Sequence, residues 1–144
     1  MATPCPPSAS TFQLPDLVSY CQTLPLRYHK HGDSVAAASD KWFEHGSPNF
    51  TEQKRRRLYG LKAGNLTAYC YNDCDDEHLR VVCDYMNYLF HLDDLSDGMM
   101  MKDTSVLSDV VMNAFKHPHA YHPIPTKANE PPPEEPHVSR LARE

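Results

Sequence analysis

Apolar positions recur most regularly between Asp75 and Gly98, a stretch with no Pro and no internal Gly. Leu79, Val82, Cys83, Met86, Leu89 and Phe90 repeat at i, i+3, i+4 and i+7, which is one stripe of an α-helix. Asp73 is the expected N-cap, with Asp75, Asp76 and Glu77 in the first turn at the positive end of the helix dipole. Gly98 is the expected C-cap. The opposite side, with Val81, Tyr85, Tyr88, Leu92 and Leu95, is also largely apolar, so the pattern predicts a helix buried all round. Three further helices are predicted at residues 31–45, 51–71 and 103–116. Val35, Ala38, Trp42 and Phe43 are read as the inward face of the first. Asn49 or Thr51 caps the second, whose Gly64 costs about 1 kcal/mol against Ala unless it serves close helix packing. Met99, Met100 and Met101 join the third and fourth helices and are expected against apolar neighbours.

Proline marks the borders. Five of the 13 prolines lie at or before Pro25 and seven at or after Pro118. Residues 1–13 read as disordered, residues 14–20 as a short helix, and residues 118–136 as a Pro-rich extended loop. Residues 137–144 open a helix, with Val138, Leu141 and Ala142 in register, that is expected to stop early with no cap and no partner. The pattern as a whole predicts an all-α fold that is the front part of a larger helical domain.

At about 100° per residue, Asp93 and Asp97 share a face with Leu79, Met86 and Phe90, and Asp94 lies beside it. Carboxylates at the end of a buried stripe must neutralise, pair or bind a metal. Asp93 and Asp97, one turn apart, suit a hard cation such as Mg²⁺, which takes a few carboxylates together with water and phosphate oxygens. The competing reading is a helix end whose acids face water.

The net charge of −5 argues against a nucleic-acid partner. No apolar run reaches membrane-spanning length, and the first residues lack a signal-peptide pattern. With five cysteines and no export signal, reduced thiols and a cytoplasmic location are expected. Cys70, Cys74, His78 and Cys83 are close in sequence but read as structural residues rather than a zinc site. His117, His119 and His122 read as surface-loop residues. The basic run Lys54-Arg55-Arg56-Arg57 could be a phosphate or nuclear-import patch, and reads better as a solvated first turn or two.

Several blocks carry a family likeness: F-Q-L-P-D-L at 12–17, L-Y-G-L-K-A-G-N-L-T-A at 58–68 and H-L-R-V-V-C-D-Y-M-N-Y-L-F-H-L-D-D-L-S-D at 78–97. V-M-N-A-F-K-H-P at 111–118 and S-R-L-A-R-E at 139–144 complete the set. On these blocks the chain resembles the N-terminal portion of fungal (mushroom-type) sesquiterpene synthases, which are class I terpene cyclases. The resemblance implies part of that family's helical barrel, truncated before its second half, with residues 14–117 as its N-terminal helices. It implies ionisation of farnesyl diphosphate with Mg²⁺, followed by cyclisation of the carbocation. It further implies Asp93 as the chief metal ligand, Asp97 as a second ligand and Asp94 as an organising residue that pairs with a base. Met86, Leu89 and Phe90 are implied to line the substrate pocket.

The family's second metal motif, Asn/Asp-x-x-x-Ser-x-x-x-Glu, and its diphosphate-sensing Arg do not occur after Asp97; Asn113 is followed four residues on by His117. The expectation is therefore an incomplete, poorly active fragment that self-associates through exposed apolar faces. Two alternatives stand beside it: a non-catalytic helical interaction protein, and a chain-elongating prenyltransferase.

Overall fold

The computed structural model describes residues 13–47, 51–120 and 134–144, and every regular element among them is helical. The elements are α1 (Leu17–Cys21), α2 (Gly32–Gly46), α3 (Glu52–Leu61), α4 (Ala63–Cys70), α5 (Asp76–Asp97), α6 (Met101–Lys116) and α7 (His137–Arg143). The disorder expected of residues 1–13 falls, except for Gln13, outside the described residues, as do Asn49, His122 and most of the Pro-rich loop.

Helix α5 is central: α2, α4 and α7 all pack on it. Its cap is Asp75, whose carboxylate accepts from the His78 N–H at 2.8 Å. Asp73, the expected cap, is instead bonded by Arg27 at 2.7 Å. Gly98 does close the helix, with an ordinary right-handed backbone. Leu79, Cys83, Asn87 and Tyr88 are buried, whereas Val81, Tyr85 and Leu89 are exposed. The expectation of a helix buried all round is therefore corrected. Its neighbours cover one side, and no described element covers the Val81–Tyr85–Leu89 side.

The helix expected at residues 51–71 is two helices. Thr51 caps α3, its hydroxyl accepting from Lys54 N–H at 3.3 Å. The chain then turns at Lys62, which takes left-handed angles (φ 55°, ψ 40°). Such a residue costs about 1–2 kcal/mol. The turn lets Leu58 of α3 join Phe43 and Tyr88 in one core cluster, while Ala68 of α4 joins Val35, Leu79 and Cys83 in another. Gly64 serves the close packing that its position called for. A Cβ there would lie 2.6 Å from Ala36 Cβ and 2.8 Å from Ala36 Cα, on α2.

Helix α7 has a partner, contrary to expectation. Val138, Ser139 and Leu141 are buried against α2, α5 and α6. Tyr88 O–H donates to the Val138 carbonyl at 3.2 Å, and Arg140 donates to the Gly46 carbonyl at 3.0 Å. Leu141 sits where a side chain on Gly46 would be, so α7 closes over the end of α2. The methionines of the α5–α6 connection also depart from expectation: Met100 is 77% and Met101 91% exposed. They lie at the start of α6, away from both core clusters. Among the described residues no helix is long and apolar enough to cross a membrane.

Candidate functional site

A cleft of about 740 Å³ opens between α2, α3 and α5. Its apolar wall is Phe43 from α2, Leu58 and Leu61 from α3, and Phe90 and Leu95 from α5. Its polar lining is Lys54, Arg57, Asn87, His91, Asp93 and Asp94. The last turns of α5 thus bring an aromatic ring and two carboxylates to one concave surface. Phe90 and Asp94 are one turn apart, and Asp93 precedes Asp94 on the same rim.

Of the residues predicted for the site, Phe90, Asp93 and Asp94 line the cleft. Asp97 is exposed one turn beyond Asp93, outside the lining. Met86 is half-buried and Leu89 exposed, and neither lines the cleft. The three carboxylates are exposed and make no hydrogen bond or ion pair among the described residues. Among those residues no group of three His, Cys, Asp or Glu side chains converges to hold a metal by itself. Open carboxylate oxygens fit a hard cation that keeps most of its ligands as water or phosphate, as Mg²⁺ does.

Other lining residues were not foreseen. Asn87 is 2% exposed; its amide donates to Ser39 Oγ and Asp40 Oδ1, both at 3.0 Å. Its own carbonyl oxygen has no hydrogen-bond partner among the described residues. Burial raises the Asp40 carboxyl above its usual range, while the Asn87 bond lowers it. His91 stacks edge-on against Phe43, with ring centroids 5.1 Å apart, and its Nε2 lies 3.0 Å from His137 Nε2. Burial, then His137 and Lys54, push His91 down to about 4, so the ring is neutral near pH 7. A polar residue inside an otherwise apolar run was the available signal for both Asn87 and His91. Cys83, away from the cleft, is pushed up to about 11 by burial and donates to the Gly64 carbonyl, which makes it an inert thiol.

Known proteins share most of this chain. It is 52% identical over 123 residues, 85% of its length, to an α-muurolene synthase of Coprinopsis cinerea. It is 48% identical over 140 residues, 96% of its length, to the sesquiterpene synthase Agr3 of Cyclocybe aegerita. The chain belongs to the fungal sesquiterpene synthase family. Another member, sesquiterpene synthase 1 of Postia placenta, is 43% identical over 108 residues, 75% of the chain. No family model matches. The chain covers 29%, 39% and 31% of the lengths of these three synthases. The all-helical architecture agrees with membership of this family.

Proposed function

We propose that this chain forms one wall of a sesquiterpene synthase active site, with farnesyl diphosphate as substrate and Mg²⁺ as cofactor. One observation carries the reading: the carboxylates of Asp93 and Asp94 and the apolar side chains of Phe43, Leu58, Leu61 and Phe90 share one cleft. An isoprenoid diphosphate has the matching division, an apolar chain joined to a highly charged head.

In this reading Asp93 is the chief metal ligand and Asp97 the second, reached from one turn further along α5. Bound Mg²⁺ would draw negative charge from the departing diphosphate. Asp94, on the same rim as Asp93, orients the acidic cluster. The apolar wall takes the isoprenoid chain and excludes water, which would otherwise quench a carbocation. The aromatic rings of Phe90 and Phe43 can stabilise a cation held over their faces without attacking it. The full cyclisation belongs to a protein of the relatives' length, in which further elements face this wall.

The test is a chimera of this chain with the part of the Cyclocybe aegerita relative outside its matched segment. Given farnesyl diphosphate and Mg²⁺, it should release cyclic sesquiterpene hydrocarbons, and Asp93→Asn should abolish them. A longer linear diphosphate, formed when isopentenyl diphosphate is supplied, would establish chain elongation instead.

A further inference from the structure

The four consecutive basic residues of α3 divide into two pairs. Arg55 bonds Glu44 at 2.6 Å and Glu52 at 2.9 Å, and Arg56 bonds Glu52 at 3.2 Å. These two are held by carboxylates of α2 and α3. Lys54 and Arg57 are spaced one turn apart and line the cleft instead, with no side-chain hydrogen bond or ion pair among the described residues. Asp93 and Asp94 of α5 line the same cleft and likewise have no side-chain hydrogen bond or ion pair among the described residues. The helix α3 thus turns two cations and Leu58 toward the cleft while its other two cations are neutralised in place.

Two pairs of opposite charge that do not close on each other leave a mouth with two kinds of wall. A bare anion would meet the repulsion of Asp93 and Asp94, and a bare cation that of Lys54 and Arg57. A metal-bound diphosphate satisfies both: its cation addresses the acids, and its free oxygens address the bases. Arginine offers a planar fork that matches phosphate oxygens in pairs, and lysine offers a mobile point charge. Lys54 also acts on the cleft interior, since its charge helps lower both His91 and His137.

We propose that Lys54 and Arg57 are the anion-binding wall of this cleft and contact the diphosphate head directly, alongside the acids of α5. The proposal rests on the diphosphate reading above and adds to it a set of donors on α3. Both side chains are exposed, so neutral substitution leaves the helical packing intact. Arg56, tied to Glu52, is the matched control.

The experiment is calorimetric titration of the 144-residue protein with inorganic diphosphate, with and without Mg²⁺, and with helicity checked by circular dichroism. Wild type should bind in Mg²⁺ and bind more weakly without it. Lys54→Gln and Arg57→Gln should each weaken Mg²⁺-dependent binding about tenfold, the scale of one charge-assisted hydrogen bond. Arg56→Gln should stay within about twofold of wild type, because its side chain is already engaged. If Lys54→Gln and Arg57→Gln bind like wild type while Asp93→Ala loses binding, the basic wall is overturned and the acidic site stands. If Asp93→Ala and wild type bind alike, the acidic site itself is overturned. No diphosphate binding by wild type in Mg²⁺ would overturn both.

Discussion

His91 and His137 meet nitrogen to nitrogen at 3.0 Å and join the cleft wall on α5 to α7. Only one of two such facing nitrogens can carry the bridging proton, so the pair is stable while both rings are neutral. Burial pushes both rings below the usual histidine value, His91 to about 4. Well above about pH 6.5 the rings are neutral in both the folded and the unfolded chain, and the pair keeps its full stability. As pH falls from there through about 4, the unfolded chain takes up protons that the folded one refuses. Thermal unfolding followed by circular dichroism should therefore show a melting temperature that drops between pH 7 and pH 4.5. In His91→Leu, which has no proton to gain, that drop should be smaller. An equal drop in both proteins would remove the pair from the pH response.

Gly64 is the contact point of α4 with α2. A Cβ there would meet Ala36 Cα at 2.8 Å, and backbone cannot swing aside. Gly64→Ala should cost about 1–3 kcal/mol, as overpacking does. Urea unfolding would measure it, and Ala36→Gly in the same protein should recover part of the loss. A neutral Gly64→Ala would mean that the two helices are further apart than described.

The 144-residue protein on its own should release no cyclic sesquiterpene. Its cleft is open, and no metal cluster is complete among the described residues. Any cation formed there would be captured by water. Mass spectrometry of volatiles from farnesyl diphosphate and Mg²⁺ is the check. A clean cyclic product would show that the site is completed in another way, such as by a second copy of the chain.

Val81, Tyr85 and Leu89 leave an apolar ridge along the outer side of α5. Sedimentation velocity should show association that grows with protein concentration, and Tyr85→Lys should reduce it. Identical monomeric behaviour of both proteins at all concentrations would contradict this.

The helical class and the course of α5 were legible because period and cap chemistry agree over many turns. The break at Lys62 was not: the apolar spacing runs on from Leu58 to Ala68, and the left-handed residue is a Lys rather than Gly60 or Gly64. That turn decides which way α3 faces, so the cleft positions of Leu61, Lys54 and Arg57 were hidden with it. The docking of α7 was equally hidden, since its main partners, Phe43, Tyr88 and Val111, lie far away in sequence. Phe90, Asp93 and Asp94 were legible as a group because all three stand on one helix. The exposed side of α5 was overestimated as core because its residues are apolar, and what covers a face is set by neighbouring helices.

Magnesium binding at the end of α5 tests the proposed site most directly. Isothermal titration of Mg²⁺ in the presence of diphosphate should give weaker binding for Asp93→Ala than for Asp94→Ala, with wild type the tightest. Asp93 and Asp94 both line the cleft; in the proposed site Asp93 shares the cation with Asp97, one turn along α5, and Asp94 orients the cluster. Equal, negligible effects of the two substitutions would contradict the assignment of α5 as the metal-binding wall.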